Sequence, residues 1–392
     1  MKRCLSVVFA LALALPLLAQ EEGTGSAAGA QVDTTGKGYT AVIVMEPHSK
    51  RVLFEENAHV KLPTASMAKM MTLLLTMEAI RDGQLQWDSP VNISARASKM
   101  GGSQVYLKAG SVWPVKNLVI ATMIQSANDA ATALGEKIGG SNEAFADLMN
   151  KRAQELGLKE TEFWDPHGLP NKDNPTHIDQ MSAYDLAVLG TELMKYPFMG
   201  QLAVIPEMPF QNGTLEKIYN PNHLINPKSP DYYDAATGIK TGYSGPAGYC
   251  VTASAKRGDM ELVAVVMGAK PSRGPLSSFG IAQRLFNETF ANYRVLKPVK
   301  KGDVVGQANV SNGRAKTVPV VASQDAVTMV KRGDDKNVKV NFAPTALTAP
   351  VKGGQPAGNV VVTVNGQQVA TVPAVTQGAV EKQPGWKAFW PF

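Results

Sequence analysis

The chain has 392 residues, of which 44% are hydrophobic and 18% charged, with a formal net charge of +6. That balance suits a globular protein with room for more than one domain. It excludes a coiled coil or a long disordered charged tail, and so mild and dispersed a charge excludes nucleic-acid binding.

Residues 1–19 open on Lys2 and Arg3 and continue as an apolar run shorter than a bilayer span, ending in small residues. This reads as a secretory signal peptide and predicts export. Its removal would lower the formal charge to +4 by taking Lys2 and Arg3, and would take Cys4, leaving Cys250 without a partner for an internal disulfide. Cys4 stands at the head of the apolar run, which is the wrong place for a lipid-modified cysteine. Residues 20–37 are rich in Gly, Ser, Ala and Thr and read as a flexible leader.

A domain is expected over 38–293. It opens on a hairpin with strands at 41–45 and 51–54. A helix over 66–81 follows, apolar nearly all round and therefore buried, with the backbone N–H groups of its first turn at Ser66. Further helices are expected at 118–124, from 126 through 138, at 143–156 and at 182–195. The Pro- and Asn-rich stretch 197–230 has little periodicity and reads as a surface excursion. Strands at 235–243, 248–255 and 260–268 and a helix at 276–293 complete the domain. Strands, then helices, then strands favour an α+β fold, an antiparallel sheet with a helical cluster.

The character changes at Lys297-Pro298. Short β-rich runs separated by Asn312-Gly313, Gly353-Gly354 and Asn365-Gly366 predict a small all-β, sandwich-like domain over 298–376 with no candidate catalytic group. The tail 377–392 holds Trp386, Phe389, Trp390 and Phe392 around Lys387. Aromatics with a lysine suit a membrane interface, whereas the proline-broken pattern makes a poor amphipathic helix, so both an anchor and an irregular tail stay open. No metal-ligand spacing occurs and no His-Glu-x-x-His motif, so a zinc peptidase is excluded and no cofactor is expected.

The chemistry-bearing pattern is Ser66-x-x-Lys69. One helical turn apart, the amine reaches the hydroxyl, and a desolvated lysine can take the proton that keeps serine a poor nucleophile. Two more short motifs follow in order, Ser126-Ala127-Asn128 and Lys240-Thr241-Gly242. With their flanks, Pro63 to Leu75, Gln125 to Ala130, His167-Gly168-Leu169 and Gly238 to Tyr243, the three resemble the penicillin-binding, serine-active D-alanyl-D-alanine carboxypeptidases, peptidase family S11.

The resemblance implies a β-lactamase/transpeptidase-like first domain and an enzyme that removes the terminal D-alanine from peptidoglycan stem pentapeptides. β-Lactams would be covalent inhibitors. It implies Ser66 as the acylated nucleophile, Lys69 as its base and Ser126, beside Lys240, as the proton relay to the leaving amine. Asn128 would hold the substrate's peptide carbonyl and support Lys69. The Ser66 and Tyr243 N–H groups would form the oxyanion hole, and Lys240, Thr241 and Gly242 the strand that receives the substrate and its carboxylate. Family members carry a carboxylate-binding arginine where this chain has Pro275, so Arg273 is the candidate replacement, with Lys270 nearby. His167 reads as a packed loop residue. The implied location is the periplasm or the outer face of a bacterial cytoplasmic membrane. A D,D-endopeptidase of the same family is the alternative. A β-lactamase is disfavoured because the Glu-x-x-Leu-Asn setting is absent, and an inactive wall-binding protein would not need all of these side chains.

Overall fold

Strands β1 (Ala41–Glu46) and β2 (Arg51–Glu56) form the expected hairpin in the computed structural model, which describes residues 37–171, 174, 176–210 and 214–384. The signal peptide and nearly all of the leader, and the tail from residue 385, lie outside the described residues. The chain then enters a helical cluster: α1 (Lys69–Arg81), α2 (Val115–Ile124), α3 (Asn128–Gly139), α4 (Asn142–Glu155), α5 (Ala183–Met194) and α6 (Pro197–Ala203). It returns as β3 (Ala236–Ser244), β4 (Gly248–Arg257) and β5 (Met260–Ala269) before α7 (Ser278–Asn292).

The five strands make one antiparallel sheet in the order β2-β1-β5-β4-β3. Both faces are covered, so the central strands carry apolar residues on both. Ile43, Met45, Val263, Val265 and Met267 face the helical cluster, and Val42, Val44, Leu262, Ala264 and Val266 pack with Leu285 and Phe286 of α7. Helix α1 runs through the cluster with Met70, Met71, Leu73 and Leu74 buried, as its all-round apolar sequence requires.

Two local expectations change. The turn expected to open the helix at Ser66 is a separate 3-10 turn, Ala65–Ala68, entered through Ala65 at φ 47°. Within 197–230, α6 forms with proline at its first position, and a short hairpin pairs Glu207–Pro209 with Lys217–Tyr219. Elements this short leave no periodicity to read.

The strand Tyr293–Val299 leaves α7 directly and pairs with Ala326–Lys331, so β structure begins before Lys297-Pro298. A six-stranded sheet follows in the order Val338–Pro344, Pro356–Val364, Gln367–Thr376, Thr317–Ala322, Val304–Ser311, Leu347–Thr348. Valines and alanines fill its core. Asn365-Gly366, with φ of 53° and 82°, closes the Val364/Gln367 hairpin in the conformation such pairs favour. The two parts touch: Met329 joins the core beneath α7, Arg51 donates to the Met329 carbonyl, and the Tyr293 hydroxyl donates to the Leu53 carbonyl at 3.3 Å. Among the described residues no helix is long and apolar enough to cross a membrane.

Candidate active site

In a 3-10 turn residues three apart lie one above the other. The Ala65–Ala68 turn thus brings Lys69 Nζ to 2.8 Å from Ser66 Oγ, and Nζ also donates to the His167 carbonyl at 2.7 Å. Lys69 is completely buried, which disfavours its charge and brings its pKa down from 10.5 to about 7, against the opposing pull of Asp165, Asp179 and Asp129. In its neutral form Nζ keeps the bond to the carbonyl and turns its lone pair to the hydroxyl, which then becomes the donor. The pair has the geometry for a hydroxyl to pass its proton to a neighbouring amine.

Ser126 lies between α2 and α3 at φ 57°, a left-handed conformation that costs a non-glycine residue about 1–2 kcal/mol. It is held by Lys240 Nζ, 2.7 Å from Ser126 Oγ across 114 residues of chain. Nζ also donates to the Thr241 carbonyl at 3.2 Å. Lys240 is buried, and that burial, with the neighbouring Lys69 charge, puts its pKa well below the usual lysine range.

Asn128 makes its hydrogen bonds to a loop and not to Lys69. Its main-chain N–H donates to Ser103 O and its Nδ2 to Gly101 O, each at 2.7 Å, which ties it to the 101–103 loop. No bond joins it to Lys69, whose second partner is the His167 carbonyl. Its buried Oδ1 has no partner among the described residues.

β3 is the edge of the sheet, and there Gly242 is a steric necessity. A Cβ at this position would stand 2.8 Å from the Thr64 carbonyl and 3.2 Å from Met67 Cγ, so only glycine lets the strand lie against the turn that carries Ser66. Thr241 precedes it, half-buried. Tyr243 is 60% exposed, its ring centroid 4.4 Å from that of Tyr249 on β4. Arg273 is exposed in the turn after β5. Among the described residues, no hydrogen bond or ion pair brings it to Lys240 or Thr241.

The segment behind Lys69 contains the His167-Gly168-Leu169 block that the sequence marked, with His167 read there as a packed loop residue. Asp165 Oδ1 accepts from the N–H groups of His167 at 2.8 Å and Gly168 at 2.6 Å and lies 2.7 Å from His167 Nδ1. Burial alone would raise the Asp165 pKa, but the His167 ring and these N–H donors outweigh it and hold the group ionised. Thr72 Oγ1 donates to Pro166 O at 2.6 Å, and Gly168, at φ 81°, leaves no room for a Cβ beside the Ala65 carbonyl. His167 therefore acts through its carbonyl. Because every residue offers that atom, the sequence could not single it out. No cluster of His, Cys, Asp or Glu fit to hold a metal occurs among the described residues.

Comparison with known proteins agrees with this geometry. Residues 30–271 match the family model for D-alanyl-D-alanine carboxypeptidase, and residues 293–382 match the penicillin-binding protein 5 C-terminal domain. The chain is 34% identical to the D-alanyl-D-alanine carboxypeptidase DacF of Bacillus subtilis over 87% of its own length and 86% of that protein's. It is 32% identical to DacC of Escherichia coli, over 94% and 91% of the two chains. The structure of penicillin-binding protein 5 from Haemophilus influenzae superposes with a TM-score of 0.72 at 27% identity, covering 88% of this chain and 98% of that one. The chain belongs to peptidase family S11, the serine-type D-alanyl-D-alanine carboxypeptidases, with an α+β transpeptidase-like domain and a smaller β domain behind it.

Proposed function

We propose that Ser66 is acylated by the penultimate D-alanine of a peptidoglycan stem pentapeptide, with Lys69 as the base. The observation that carries this is a completely buried amine 2.8 Å from the Ser66 hydroxyl, at a pKa near neutrality. Ser66 Oγ adds to the carbonyl carbon as its proton passes to Lys69. The N–H groups of Ser66 and Tyr243 stabilise the oxyanion. As the C–N bond breaks, the amine of the departing D-alanine takes a proton through Ser126, which Lys240 orients. Water then hydrolyses the ester and frees Ser66. The free edge of β3 suits an extended peptide, Lys240 and Thr241 offer a cation and a hydroxyl to its terminal carboxylate, and exposed Arg273 is the candidate for a second cation. Asn128 would reach the substrate's peptide carbonyl by exchanging its bond to Gly101.

The same chemistry makes β-lactams covalent inhibitors at Ser66. The same reading has an exported chain with catalysis confined to 38–293. At the far end of the β domain the chain leaves the Gly313/Lys382 bridge beside exposed Arg314, Lys316 and Lys352. Arg314 pairs with Glu381 at 3.3 Å, and Lys316 and Lys352 suit anionic headgroups and favour attachment of the tail 383–392 to the outer face of a membrane.

Incubation with labelled penicillin followed by peptide mapping tests the site, and label anywhere but Ser66 refutes it. A pentapeptide offered beside a crosslinked dimer separates the activities: free D-alanine marks the carboxypeptidase, uncrosslinked monomer the endopeptidase. Deleting residues 383–392 and finding unchanged membrane association would refute the tail as the anchor.

A further inference from the structure

We propose that Asp179 is a positioning residue for the Ser66–Lys69 pair, tying the Trp164–Gly168 segment to the turn that carries the nucleophile. The inference rests on the active-site reading above. Asp179 is 1% exposed. Its Oδ1 accepts from the Trp164 N–H at 2.6 Å and from the Asp165 N–H at 3.3 Å. Its main-chain carbonyl accepts from the Thr64 N–H at 3.0 Å. One residue thus grips both walls of the site: through its side chain the segment whose His167 carbonyl holds Lys69, and through its backbone the residue two before Ser66.

Backbone pairing of Gln180 with Pro63 and with Glu162 runs alongside and survives any substitution at 179. What the side chain adds is the seat for the Trp164 and Asp165 N–H groups, the first of the bonds leading to His167 O. Its second oxygen, Oδ2, is buried with no partner among the described residues. An ionised group there would be desolvated, with an unpaired oxygen, beside the ionised Asp165, and both burial and that neighbour push its proton affinity up. The titratable groups facing Lys69 are Asp165 and Asp179 from this side, Asp129 from α3 and Lys240 from β3.

The test measures the second-order rate of Ser66 acylation by a labelled penicillin across pH 5 to 9, with melting temperatures alongside, in the full chain and in Asp179→Asn and Asp179→Ala. Asn keeps the carbonyl acceptor and places an amide at Oδ2, so its rate on the plateau stays within about threefold. Ala removes the seat. Loss of the carboxyl is expected to slow acylation about 10²-fold for a displacement near 1 Å. It also admits water beside Lys69 and raises the acid limb by about one unit. An Ala variant with the parent's rate and limb overturns the proposal, as does a slower one whose limb is unmoved. An Asn variant acylated as slowly as the Ala variant overturns it too. If the Ala variant does not fold, Asp179→Ser, too short to reach the Trp164 N–H, takes its place and the same outcomes decide. Absence of label on Ser66 in the parent protein would instead refute the active-site reading.

Discussion

Lys69 is where burial becomes rate. An exposed lysine, at 10.5, has about 3 in 10,000 of its molecules deprotonated at pH 7; at about 7, half are. Burial therefore raises the population able to accept the Ser66 proton about 10³-fold, a difference worth ~5 kcal/mol between the two protonation states. Stopped-flow acylation by a penicillin should show an acid limb centred near pH 7, with the rate falling about tenfold per unit below it as Nζ takes a proton, and a plateau above. Lys69→Arg keeps the cation at every pH but cannot serve as a base, and should lose about 10²–10⁴-fold on the plateau. A limb near pH 10, or an Arg variant acylated at the parent's rate, would refute the reasoning. The sign carries over to stability. Between about pH 7 and 10.5 the unfolded chain holds the Lys69 proton and the folded one does not, so this group's contribution makes the protein more stable as pH rises through that window.

Ser126→Ala leaves Lys240 Nζ with only the Thr241 carbonyl and should slow acylation by about 10²-fold or more while initial binding of the penicillin changes little, separable in a concentration series. Gly242→Ala drives a methyl against the Thr64 carbonyl, whose backbone cannot yield. The strand must retreat from Ser66, and acylation should fall at least about 10-fold; an unchanged rate would show that β3 does not set the oxyanion site. Phe286→Ala empties a fully buried site between α7 and the sheet and should cost about 3–5 kcal/mol in denaturant unfolding.

Much of this protein could be read without its coordinates. Alternating and continuous apolar runs marked the five strands, all-round apolarity marked α1 as buried, and Asn365-Gly366 marked a hairpin. These are local signals that short-range sterics and burial decide. The three motifs likewise named Ser66, Lys69, Ser126 and Lys240, because the chemistry demands those side chains. The sequence could not say which partner each finds. Lys69 and Ser66 meet through a 3-10 turn three residues wide, but Lys240 meets Ser126 only because an edge strand and a helical cluster fold onto one another. Asn128 is drawn to a loop that no motif marked, and the bond expected from it to Lys69 goes to a main-chain carbonyl. Asp165 and Asp179, which surround that carbonyl, look like ordinary loop acids in the sequence. Burial and mutual proximity push their proton affinities in opposite directions, and both are properties of the packed chain. The sequence by itself determined the elements and the reactive side chains. The tertiary structure decided their protonation and their partners, since desolvation and long-range approach exist only once the core has closed around Lys69.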